Sequence, residues 1–204
     1  MIAITTIFTA LLFSSAAWAG TLLAETLCSD RTPADDGPAP IAYKRWPFAA
    51  GAAAIGIVTG VQGISPAHTA IFTVAVLALA GCAAADLSCG MLPDVLTLGP
   101  LAFFAGLGVV FHSWSPVLGA ALAFVPFAAT ALVSRGRGMG WGDAKLAAFG
   151  GAFLGARDAT LAFTLAAIAA YIVARRSGHP RRAIAFGPYL AGSIATISLT
   201  TGAH

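Results

Sequence analysis

The chain is a succession of apolar runs long enough to cross a lipid bilayer, separated by short polar or turn-prone breaks. Inside hydrocarbon the backbone must satisfy its own hydrogen bonds, so such runs are read as membrane-spanning helices. Hydrophobic residues make up 58% of the sequence and charged residues only 9%. The mean hydropathy of +0.86 lies outside the range of soluble domains. The expected fold is an all-α, polytopic transmembrane helix bundle of about eight spans, one integral-membrane domain over residues 1–204 with little extramembrane mass.

The breaks place the spans at about 2–27, 48–64, 69–86, 95–112, 117–133, 144–156, 159–174 and 183–201. Ser65-Pro66-Ala67-His68 and the stretch from His112 to Pro116 read as short turns. Residues 28–47, rich in Pro, Asp and Gly, form the one sizeable loop and are expected to be little ordered. As a single helix, 144–174 would run about 46 Å, against a hydrocarbon core of roughly 30 Å. It carries Gly150, Gly151 and Gly155 in its first half and is interrupted by Arg157-Asp158. Two segments, the first short, fit better.

Charge then orients the bundle. With an external N-terminus, the inner loops and edges hold Arg31, Lys44, Arg45, Arg135, Arg137, Lys145, Arg175, Arg176, Arg181 and Arg182, leaving only Arg157 outside. That bias follows the positive-inside rule and places the loops at 28–47, 87–94, 134–143 and 175–182 in the cytoplasm. The net charge of +3 is therefore a topology signal and does not point to nucleic acid. A rival reading takes residues 1–19 as a secretory leader ending at Ala17-Trp18-Ala19, but that stretch lacks a basic n-region and its removal would invert the charge bias.

Acids at the edge of hydrocarbon are costly, which makes them functional candidates. Asp86 closes the apolar run from Ile71 to Ala85, and Asp143 follows Gly140-Trp141-Gly142 at the mouth of another. Asp94, behind Pro93, is expected to cap the next helix. Asp30, Asp35, Asp36 and Asp158 read as solvated charges, and Glu25 as a group reaching the headgroups. Cys28, Cys82 and Cys89 make no CxxC pair and no metal-ligand spacing; Cys82 and Cys89 could share one helix face and are read as small apolar side chains.

Asp86 and Asp143 on separate elements suit aspartyl protease chemistry. Two carboxylates in contact cannot both ionise, so they share a proton. The ionised one draws a proton from water for attack on a peptide carbonyl; the protonated one donates to the oxyanion and then to the leaving amine. That chemistry requires no metal and no cofactor. Gly140 and Gly142 would let the backbone approach the substrate and the Asp86 segment closely.

Three stretches carry a family resemblance. Asp86 with Leu92-Pro93-Asp94-Val95-Leu96-Thr97-Leu98 forms the first, Gly140-Trp141-Gly142-Asp143-Ala144-Lys145-Leu146 the second, and Phe186-Gly187-Pro188-Tyr189-Leu190-Ala191 the third. In this order, from about residue 70 onward, they resemble the type IV prepilin peptidases and archaeal preflagellin peptidases, of the GxGD class of membrane aspartyl proteases. Ala185 and Tyr189 depart from the proline and phenylalanine of the family's last motif. The resemblance implies catalytic Asp86 and Asp143, with Gly140, Gly142, Lys145, Pro93, Asp94, Gly187 and Pro188 supporting the site or the approach to it. It also implies a prepilin or pseudopilin precursor as substrate, with a basic leader cut on the cytoplasmic side of the inner membrane, and lipid as the surrounding partner.

Longer members carry paired CxxC motifs between the first two spans, associated with N-methylation of the product. Here that place holds only residues 28–47 with Cys28, so methyltransferase activity is not expected and the build resembles the short, peptidase-only members. Transport by proton-relaying acids and a catalytically silent secretion subunit are the competing readings. Transporters place acids near the bilayer midplane, whereas Asp86, Asp94 and Asp143 all flank expected cytoplasmic loops.

Overall fold

The computed structural model describes residues 2–29, 42–134, 139–176 and 185–200. These form α1 (Ile2–Ser29), α2 (Trp46–Gln62), α3 (Pro66–Cys89), α4 (Asp94–Val110), α5 (Ser115–Val133), α6 (Trp141–Leu154), α7 (Ala156–Arg176) and α8 (Gly187–Thr200), with no strand among the described residues. Local chemistry sets the ends. Before α3, the Ser65 hydroxyl accepts from the His68 N–H at 3.3 Å, and Pro66 occupies the first turn, where its missing N–H costs nothing.

Four helices, α1, α3, α5 and α7, are long and apolar enough to cross a membrane, with α2 and α4 somewhat shorter. Their outward side chains include Ile4, Leu11, Val110, Leu122, Val133 and Ile168, an apolar exterior suited to lipid. The protein is a multi-pass membrane bundle.

Between helices, packing relies on bare backbone. A Cβ on Gly56 would stand 2.5 Å from the Thr9 carbonyl of α1, one on Gly20 2.2 Å from the Leu77 carbonyl of α3, and one on Gly151 2.3 Å from the Gly119 carbonyl of α5. Such close approach is how helices associate where lipid leaves little hydrophobic driving force. Phenylalanines fill the middle: Phe104 of α4 stacks on Phe149 and meets Phe153 of α6, and Phe153 reaches Phe72 of α3. Helix α1 runs unbroken through Ala19, the boundary of the rival leader reading, with Phe13, Ala17 and Ala24 all buried.

The 144–174 region divides as expected, but at Gly155, not at Arg157-Asp158. Gly155 adopts φ 79°, ψ 167°, a conformation open essentially to glycine alone. Arg157 and Asp158 belong to the first turn of α7. Gly119 packs against Gly151 and Gly155, and Phe127 of α5 against Phe163 of α7. Helices α5 and α7 therefore run in the same direction, and α6 runs opposite.

Three boundary shifts bear on the site. Helix α3 continues through Cys89, which puts Asp86 within its last turns; α6 begins at Trp141, ahead of the expected 144, which puts Asp143 in its first turn; and Ala185 and Phe186 precede α8, which begins at Gly187. The expected disorder of loop 28–47 concerns chiefly residues 30–41, which lie outside the described set; Arg31, Arg135, Arg137, Arg181 and Arg182 do so as well.

The cysteine reading needs correction. Parallel packing of α1 on α3 brings Cys28 beside Cys89, and the two form a disulfide with Cα atoms 6.1 Å apart. Only Cys82 remains a free thiol among the described residues, buried as expected. Sequence spacing along separate helices carries no sign of such a pairing.

Candidate active site

One end of the bundle gathers the chemistry. The C-terminal ends of α1 and α3 meet the first residues of α2, α4, α6 and α8 there, as cross-links between Glu25 and Arg45, Asp94 and Lys145, and Asp86 and Gly187 show. Among the described cations, Lys44, Arg45, Lys145, Arg175 and Arg176 lie at this end and Arg157 at the other.

Asp86 is 8% exposed. Its Oδ2 accepts the Gly187 N–H at 2.8 Å, so the first, otherwise unpaired donor of α8 points at a carboxylate on α3. Glycine is required there sterically: a Cβ would sit 2.9 Å from that oxygen and 3.0 Å from the Asp86 Cβ.

Asp143 is half-buried in the first turn of α6, and its Oδ2 accepts the Gly140 N–H at 3.3 Å. This is the half of a capping box that an acid in the third position supplies, and it holds the side chain back over the helix start. Leu92, six residues past Asp86, lies against Gly142, the neighbour of Asp143, so the two acids stand on adjoining segments at the same end of the bundle. Two acids from separate helices thus lie at one end of the bundle.

The supporting residues divide. Gly142 faces Leu92, whose Cβ would be 2.9 Å from a Cβ at 142, so this glycine lets the start of α6 close on the turn that follows Asp86. At Gly140 the nearest atom to an added Cβ is the Asp143 carboxylate at 3.5 Å, an ordinary contact. Its role visible here is the N–H it gives to Asp143. Pro93 is the buried N-cap residue of α4, and Pro188 follows Gly187 in the first turn of α8.

Asp94 is not a cap. Pro93 occupies that position, no side chain caps α4, and the exposed Asp94 carboxylate instead receives Lys145 Nζ at 2.5 Å. As the first helical residue it still complements the dipole, but the lysine from α6 supplies its partner. Glu25 likewise does more than reach the headgroups: it pairs with Arg45 and accepts the Tyr43 hydroxyl at 3.2 Å. Arg45 also stands over the Trp18 ring, 5.7 Å from its centroid. Burial raises the Tyr43 hydroxyl above its ordinary pKa, with Ser88, two residues past Asp86, opposing as a hydrogen-bond partner. These links join residues far apart in the chain, and only the acid at a helix end could have hinted at them.

The described residues hold no cluster of His, Cys, Asp and Glu able to bind a metal. The arrangement offers two carboxylates at one end of the bundle and backbone donors at two helix starts, groups able to take part in proton transfer.

The sequence model of the type IV leader peptidase family matches residues 70–175, just over half of the chain. That region holds both acids and stops short of Gly187. Comparison with curated proteins and with solved structures finds no match.

Proposed function

The chain belongs to the type IV leader peptidase family, and from that premise we propose that it is an aspartic endopeptidase that removes the leader of prepilin-like precursors at the cytoplasmic face of the inner membrane. The observation that supports the proposal is the placement of Asp86 and Asp143 on adjoining segments at one end of the bundle, with Gly187 holding the first and Gly140 the second. In this reading the pair shares one proton. One carboxylate activates water against the scissile carbonyl, and the other protonates the leaving amine.

Orientation follows from the cations at the acid end, which the positive-inside rule assigns to the cytoplasm. The basic leader of a precursor then stays in the aqueous phase while its apolar helix remains in lipid. A short 28–47 loop in place of a methyltransferase region supports a peptidase-only enzyme over residues 1–204.

Co-expression with candidate prepilins and prepseudopilins, reading mature N-termini by mass spectrometry, tests the assignment. Leader removal that depends on both aspartates is the expected result. Intact precursors beside a well-inserted enzyme, for every candidate, would overturn it.

A further inference from the structure

We propose that Cys28 and Cys89 form a reversible thiol–disulfide site that tethers α1 to the turn after Asp86 and slows cleavage while closed. The proposal rests on the assignment of Asp86 and Asp143 as the catalytic pair.

Three features locate the site. Cys89 lies in the same last turn of α3 as Asp86, whose carbonyl accepts the Gly90 N–H at 3.1 Å. Leu92, two residues beyond Gly90, packs over Gly142 beside Asp143. The stretch from Cys89 to Leu92 therefore touches the elements of both acids, and Cys28 fastens it to α1. The bond holds this stretch against α1 and so restrains the segment that follows Asp86 and its Leu92 contact with Gly142, limiting any movement there that admits a precursor.

Reversibility has its own support. Close packing at Gly20 and Gly81 already sets α1 against α3. With that framework, Cα atoms 6.1 Å apart fall within disulfide range whether or not the bond is made. Cys28 is only half-buried and open to attack on another disulfide, while the Met91 carbonyl, 3.7 Å from the Cys89 sulfur, gives a reduced thiol an acceptor. The cytoplasm, which the proposed orientation puts at this end, keeps thiols reduced, so a bond there is a transient and informative one.

The exchange balances with a low-molecular-weight disulfide of the glutathione type. The Cys28 thiolate attacks it and expels one thiolate; the Cys89 thiolate then attacks the mixed disulfide at the Cys28 sulfur and expels the second. Protein sulfur loses two electrons, the small disulfide gains them, and the two thiol protons leave with the two small thiols. Excess thiol reverses both steps.

The test treats membranes holding the full chain with oxidised glutathione or with dithiothreitol. Maleimide labelling after denaturation should count all three cysteines in the reduced sample and Cys82 alone in the oxidised one. Amide exchange at residues 90–92 should slow on oxidation in the wild type and stay unchanged in Cys28→Ser, a readout independent of catalysis. Cleavage of a prepilin-type substrate should fall by about fivefold or more on oxidation, within the ordinary range of coupling between sites, and recover with dithiothreitol. Three free thiols after oxidised glutathione, a bond that resists dithiothreitol, or unchanged exchange and cleavage with the bond formed would each overturn the proposal. Labelling and exchange as expected, with no cleavage in either redox state, would instead sink the peptidase assignment of the acids.

Discussion

The backbone N–H of Gly187 donates to the carboxylate of Asp86 across 2.8 Å, joining residues 101 positions apart at the start of α8 and the end of α3. The last helix of the bundle thereby fixes the rotamer of the first acid. The Phe186-Gly187-Pro188 stretch thus has a physical role, which is to bring a bare backbone donor against a carboxylate.

Gly187→Ala is therefore expected to damage the site more than the fold. The added methyl would lie 2.9 Å from the carboxylate oxygen, so either α8 shifts or Asp86 turns away. Overpacking of this kind costs about 1–3 kcal/mol, measurable as a lowered unfolding midpoint in detergent. Cleavage should drop by more than that loss of folded protein accounts for. Wild-type turnover in the alanine variant would remove the N–H contact from the mechanism.

Asp86→Asn and Asp143→Asn should each reduce cleavage by at least about a hundredfold, the scale of general acid–base contributions. Neither change alters side-chain volume much, so both variants should insert and fold. A precursor-processing assay with a parallel membrane-extraction control separates the two effects. Substantial turnover in either variant would take that aspartate out of the pair.

The Asp94–Lys145 bridge links the start of α4 to the start of α6 at an exposed position. Exposed ion pairs are typically worth about 0–1 kcal/mol, so Asp94→Asn and Lys145→Gln should each destabilise slightly and retain most activity. The exchanged pair, Asp94→Lys with Lys145→Asp, should recover part of the loss. If Asp94→Asn abolishes turnover in a stable protein, Asp94 belongs with the reacting groups.

Topology can be checked by cysteine labelling or reporter fusions. Positions 44 and 175 are expected to report the cytoplasm and position 157 the opposite side, because Lys44 and Arg175 share the acid end and Arg157 lies across the bundle. A cytoplasmic signal at 157 would mean that the α6–α7 hairpin does not cross the membrane.

Much of this architecture is local chemistry and is legible in the sequence. Apolar run lengths, the Ser65-Pro66 start and the need to divide 144–174 depend on neighbours in the chain, and the helices follow them closely. The two acids stand out because charge at the end of an apolar run is expensive wherever the segment packs. Pairing is another matter. Nothing within a few residues of Cys28 specifies Cys89, nothing near Asp94 specifies Lys145, and Glu25 looks like any acid at a helix end until Arg45 and Tyr43 close on it. Gly142 and Gly187 are both glycines in motifs, yet one makes room for Leu92 and the other for Asp86. Helix formation is governed by short-range backbone bonds and solvent, so one-dimensional order can reveal it. Which faces then meet depends on the joint packing of all the helices, and that is decided only when the bundle assembles.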